Sequence, residues 1–389
     1  SIRPPSAATI RDGIVAGVMW AMNADRRKAL YNELRTIITE NEALRLLLLA
    51  PFRRATWELV DQLSEAARSN YWRDVVPQYT FDSADENNEG VRRLLDAKRP
   101  RAAFAAVHFK LDEIRPSLLV QMLWGMARDG NDKSGEFQLR DYDIRQAFQL
   151  LDQNSDVSLE DKVGLEFAYL DVLARDFRGD DGHQIPNLER YVEEHPDMFV
   201  QAVVWAYKRK NGGEDPPEYC VAEGGEHLST KGYRLLEALE RTPGQGGATE
   251  EDRRQKLSEW VSAVRKACAE LDRAGSADLC LGNLFSYASV GNDGVWPNEV
   301  VRNVMEDIQS EEISKGAHTG IYNARGVHWR GEGGRQEREL AEKYRKWADV
   351  LQFTHPFVSS SLLMRLVKTD EREAEQQDTE AGIQRRLRH

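Results

Sequence analysis

The chain of 389 residues has little cysteine, no long apolar run and no excess of positive charge. Each shortage excludes something. Three cysteines, Cys220, Cys268 and Cys280, cannot build a disulfide framework. So odd and sparse a set in a chain this long reads as reduced and cytoplasmic. The longest apolar run, Leu46-Leu47-Leu48-Leu49-Ala50, falls far short of the roughly 20 residues that a membrane span needs. No basic-then-apolar leader opens the chain. Lys and Arg number 53 against 65 Asp and Glu, a net charge of −12. Phosphate contacts need a basic face, so this balance argues against non-specific nucleic-acid binding.

The familiar catalytic strings are missing too. There is no G-x-x-x-x-G-K-[ST], no G-x-G-x-x-G after a strand, no H-E-x-x-H, no G-x-S-x-G and no C-x-x-C. No cofactor and no metal ligand set is expected from these spacings, and no catalytic residue is identifiable. Asp152, Asn154, Asp156, Ser158 and Glu160 have the rhythm of a calcium loop. Val157 stands where its glycine belongs and Val163 where its last glutamate belongs, so Ser158 is read as the cap of a helix. Asp180-Asp181-Gly182-His183 reads as a turn. Cys268 sits on an apolar stripe and reads as core.

What is present is helical. Leu257, Trp260, Val261, Val264, Cys268 and Leu271 step at helical period. So do Leu340, Tyr344, Trp347 and Leu351; Leu118, Met122, Leu123 and Met126; Val163, Phe167, Leu170 and Leu173; and Val300, Val304, Met305 and Ile308. Sustained period-2 alternation is missing, so little sheet is expected, with short extended pieces near 319–329 as the one exception. Prolines 100, 116, 196, 297 and 356 punctuate the helical runs. Proline suits a first helical turn and pushes the residue before it out of helical space. His195 and His355, each just before such a proline, are read as structural.

The spacing predicts an all-α fold of about 15 to 18 helices. We expect an irregular α-solenoid-like array of antiparallel helix pairs of the HEAT or TPR kind, with a compact multi-helix bundle as the alternative. The breaker clusters 211–218 and 242–250 divide it. The expected organisation is an N-terminal array over 1–210, a linker over 211–250 holding one helix near 228–241, and a C-terminal lobe over 251–389. Thr249 and Asp252 read as a capping box for the next helix.

One segment does not read as packing. The Gly-rich loop 320–334 carries Asn323, Arg325, His328, Trp329 and Arg330 and runs into Arg335 at a helix start. Glycines permit close backbone approach, helix N-termini attract anions, arginines neutralise them, and Trp329 can stack. These six residues are the candidate contacts for a ligand or a partner. The alternative is a loop folded over the last helices, its arginines paired with Glu332, Glu337 and Glu339.

The run from Tyr322 to Ala341, with Tyr344-Arg-Lys-Trp347 and His355-Pro356, resembles the C-terminal helical region of large, uncharacterised bacterial proteins. The likeness is strongest over about residues 290–389 and thinner from Tyr71 to Glu194. It implies a piece of a longer bacterial protein, as does the opening Ser1 in place of Met. It brings no activity. The expected function is therefore a non-catalytic scaffold or recognition arm, binding another protein or another domain of its parent chain. The second reading is a sensor that binds a nucleotide or other phosphate compound at loop 320–334.

Overall fold

The computed structural model describes residues 7–77, 83–128, 139–174, 185–219, 226–325 and 333–387. Among them are twenty α-helices and no strand, so the protein is all-α. The extended piece expected near 319–329 is absent from 319–324, which are helical. The chain divides into two compact units, Ser1–Val172 and Leu173–His389, and the breaker-rich 211–250 stretch lies wholly inside the second.

The first unit holds α1 (Ala7–Ala21), α2 (Ala24–Leu34), α3 (Glu40–Leu48), α4 (Arg54–Val60), α5 (Glu65–Asp74), α6 (Ala84–Asp96), α7 (Pro100–Val107), α8 (Pro116–Ala127), α9 (Asp141–Asp152) and α10 (Leu159–Ala168). The short α11 (Leu170–Leu173) straddles the division. Helices pack on their neighbours and on the next but one: α2 on α4, α3 on α4 and α5, α6 on α7 and α8, α8 on α9 and α10. Local chemistry sets the boundaries. Thr39 and Glu42 form a full capping box on α3, and Ser158 caps α10 through the Asp161 amide, 3.1 Å away. Pro100 and Pro116 open α7 and α8. The core gathers Phe52, Trp57, Tyr71 and Trp72, with Phe52 edge-on to Trp57 and Trp72, and Tyr71 edge-on to Trp72. Arg93 lies over the Trp57 and Trp72 rings while its guanidinium reaches Asp61 and Glu89. Buried Arg99 donates to the Trp72 and Val75 carbonyls and closes the C-terminus of α5.

The second unit holds α12 (Pro186–Glu194), α13 (Pro196–Ala206), α14 (Glu226–Ala238), α15 (Glu250–Glu270), α16 (Ala274–Phe285), α17 (Glu299–Ile308), α18 (Glu311–Ala324), α19 (Arg335–Leu351) and α20 (Met364–Leu387). A π-helical turn, Val358–Leu363, leads into α20. Here α13 packs on α14 and α15, α15 on α16 and α17, α14 on α16, α16 on α18, and α19 on α20. The predicted stripe of α15 is buried throughout, Leu257 to Cys268, with Leu271 just beyond. On α17 the stripe is shifted: Val301, Val304 and Met305 are buried, and Val300 is half-exposed.

The closest crossing is α16 on α18. A Cβ on Gly282 would run into the Ile313 carbonyl, and one on Gly316 into the Leu279 carbonyl. Only glycine lets these two backbones meet. The 208–216 segment is pinned at the α15–α16 junction. Arg273, 4% exposed, forms a bidentate pair with Asp215 at 2.8 Å and donates to the Tyr207 carbonyl, while Asp272 accepts from the Asn211 amide.

Candidate functional site

The residues singled out in 320–334 do not form one loop. Residues 320–324 complete α18, Gly320 packs on Ser286 and Asn283 of the α16 end, and α19 begins at Arg335. His328, Trp329 and Arg330 lie outside the described residues. Asn323 is exposed on the last turn of α18. Arg325, at the α18 C-cap, forms a bidentate pair with Asp370 of α20, which is fully buried. Burial pushes the Asp370 carboxyl up, and Arg325 works against that rise. Around this pair Tyr322 donates to Glu373 at 2.5 Å, and His318 meets Thr369 at 2.9 Å.

The start of α19 holds a carboxylate of this same chain. The Gly334 amide donates to Asp378 at 3.0 Å, and Arg338 reaches the other oxygen of that carboxylate at 2.6 Å. Arg335 is exposed and pairs with Glu339 one turn on. Asp370 and Asp378 therefore take, from within the fold, two of the contacts that an external phosphate would need. Sequence spacing gave no sign of them, because both lie about 45 residues further along the chain.

Two clefts lie elsewhere, on either side of the 241–249 segment, and a third of about 490 Å³ lies on another face of α15, beside Ala269 and Asp278. One cleft, about 590 Å³, opens between α12, this segment and α15. Trp260, Pro196, Pro243 and Ala263 are its apolar lining, and Arg190, Glu193, Glu194, Arg241, Lys256 and Glu259 its charged lining. A second cleft, about 380 Å³, lies on the other side, between the segment, the N-terminal turns of α15 and α17, and residues 287–292. Glu250, Arg253, Ser289, Asn292, Asn298 and Glu299 are among its lining.

Both clefts are built by the breaker cluster that the sequence marks as punctuation. Gly244, at φ +86°, packs against α15 where a Cβ would press on the Arg253 carbonyl. Carboxylates of α12 fix the approach. Glu189, 4% exposed, accepts from the Glu240 and Arg241 amides, and Glu193 accepts from the Gly244 amide and from Arg241. Thr249 accepts from the Asp252 amide, and Asp252 reaches back to the Ala248 amide. Trp260 is held from behind: its indole N–H donates to the Val192 carbonyl at 3.0 Å, and its ring stands edge-on to Phe199. The signal available in the sequence was the Gly/Pro cluster set directly before a long amphipathic helix.

The other reactive side chains are built in. Burial pushes Cys268 up to about 12 and Cys280 to about 11, so both stay thiols at neutral pH. His355 bridges Thr354 and Asn303 and is held below the ordinary histidine value, by burial first and then by Arg302. Among the described residues no group of three or more His, Cys, Asp or Glu is placed to hold a metal ion, and no helix is long and apolar enough to cross a membrane. No family model, no curated protein and no solved structure matches the chain.

Proposed function

We propose that the chain is a non-catalytic recognition scaffold whose working surface is the double cleft on α15. The observation that carries this reading is the pair of clefts, about 590 and 380 Å³, separated by one wall, the rigidly held 241–249 segment. Their scale suits successive side chains of a partner segment. The apolar floor at Trp260 and the charged lining have the make-up of an interface centre and its rim. An array of helix pairs is the architecture we propose for the scaffold. The packing of several helices on a neighbour or on the next but one, as α6 on α7 and α8 and α15 on α16 and α17, supports it, as stacked pairs pack in that way. The scaffold reading includes service within a larger bacterial protein, so that the occupant is a separate protein or another domain of the parent chain. The phosphate-sensor reading is the weaker one, because Arg325 and the Gly334 amide already meet carboxylates of the chain.

Ala263 is exposed on α15 and lines the larger cleft, so Ala263→Trp fills the cleft without disturbing the buried stripe. Ala269→Trp adds the same bulk on another face of α15. Affinity capture from cells, quantified by mass spectrometry, is expected to lose its specific partner with Ala263→Trp and keep it with Ala269→Trp. Equal capture by both variants and the wild type would remove the cleft from the mechanism.

A further inference from the structure

We infer that the smaller cleft is a binding site for a free zwitterion, an α-amino acid with an apolar side chain. The inference goes beyond the scaffold reading, since such a ligand and a partner side chain would compete for this half of the surface. It starts from which lining groups the fold leaves open. Glu299 is spent: it lies 3.5 Å from Arg302 and folds against Gly291, where a Cβ would stand 2.7 Å from its oxygens. Asn298 is spent on Ser289 and on the Val301 amide, and Thr242 accepts from Gln245. Two charged groups remain. Among the described residues no cation pairs with Glu250 and no carboxylate with Arg253, and the Arg253 Nε is closed to solvent without an acceptor. The cleft holds one open charge of each sign and no surplus of either.

These two charges lie three residues apart on α15, a spacing that sets their Cβ atoms about 5–6 Å apart on the helix surface. They line one cleft and do not meet. Arg253 is held in place, because Gly247 packs on its stem; a Cβ there would lie 2.5 Å from the Arg253 Cγ. A ligand carrying an ammonium beside a carboxylate fills the gap, the ammonium on Glu250 and the carboxylate on Arg253, through charge-assisted hydrogen bonds. A lone anion would also face Glu250, and a lone cation Arg253, so either half by itself meets like charge. Pro243, Leu257, Val290 and Val301 are the apolar part of the lining and receive the side chain. At about 380 Å³ the cleft has the scale of a small-molecule site.

The test is isothermal titration calorimetry on the full chain with L-leucine and with its deaminated and decarboxylated counterparts, isocaproate and isopentylamine. L-leucine is expected to bind, and each counterpart to bind about tenfold more weakly or worse. Arg253→Gln keeps the Cγ on which Gly247 rests, and Glu250→Gln keeps the shape of an exposed side chain. Each is expected to weaken L-leucine about tenfold. Glu251→Gln removes the same charge from an exposed neighbour outside the cleft and is expected to stay within about twofold. No heat of binding from L-leucine, a counterpart that binds as tightly, or equal weakening by Glu251→Gln would overturn the inference. Ala263 lines only the larger cleft, so partner capture by Ala263→Trp answers a separate question. Capture lost in that variant, with no binding of L-leucine, leaves the scaffold and removes the ligand. Binding of L-leucine with capture unchanged does the reverse.

Discussion

α18 is held in opposite ways on two of its faces. Against α16 it is held by the absence of side chains: Gly282 and Gly316 let the helices approach until backbone meets backbone, and Gly320 leaves room for the Ser286 and Asn283 side chains. Against α20 it is held by polar chemistry: Arg325 on Asp370, Tyr322 on Glu373 and His318 on Thr369. The first face is intolerant of added volume. The second depends on charge and hydrogen bonding. One helix thus records two solutions to the same packing problem, and substitutions can separate them.

The largest expected effect is on the glycine face. Gly316→Leu cannot be accommodated without driving α16 and α18 apart, since the first added carbon already meets the Leu279 carbonyl. The cost is expected at or beyond the top of the overpacking range, about 3 kcal/mol. Loss of soluble, cooperatively unfolding protein is the readout, and near-native stability would show that the crossing is looser than described. Next comes Asp370→Ala, which strips Arg325 of its carboxylate in a buried setting; about 3–5 kcal/mol is expected, measured by urea unfolding. Asp370→Asn keeps an acceptor and is expected to cost less.

The pH dependence sharpens the same contrast. His318 is held below its ordinary value by burial first, then by Arg365 and Arg325. Its neutral form is favoured in the fold, so its contribution is present above the ordinary histidine value and is lost as pH falls through the lowered one. Asp370 has the opposite sign. Its raised carboxyl contributes stability that is present below the ordinary aspartate value and lost as pH rises through the raised one. Unfolding free energies between about pH 7 and pH 5 are expected to decline less steeply for His318→Gln than for the wild type. Identical slopes would take His318 out of the acid response. Smaller still is Asp378→Ala, which frees the Gly334 amide just before α19 and the Arg338 guanidinium; about 1 kcal/mol is expected, as for loss of a helix cap. The smallest is Arg335→Ala, an exposed pair within one helix, expected below about 0.5 kcal/mol by the same denaturant titration.

The difference between the two faces also explains what was legible in advance. The stripe Leu257 to Leu271 is period and hydrophobicity on one helix, and it is buried as expected. The proline junctions were legible for the same reason, since a missing N–H acts on its own helix: Pro100, Pro116 and Pro196 each open one. In the segment 320–334 glycine has two uses that look alike in sequence. Gly320 serves a helix crossing, and Gly334 serves the approach of α19 to Ala374 of α20. The clefts on α15 were hidden because the 242–250 breakers announce only that a helix stops. Where the chain goes next was settled by Glu189 and Glu193, some fifty residues earlier.

The sequence by itself determined the class of the protein and most of its helix boundaries, because periodicity, caps and prolines act within one helix turn. Tertiary structure alone decided which arginines meet carboxylates of the chain. It also decided which glycines are crossings and where a concave surface forms. Those are contacts between residues about ten to fifty positions apart, and no local rule of hydrogen bonding or backbone conformation encodes them.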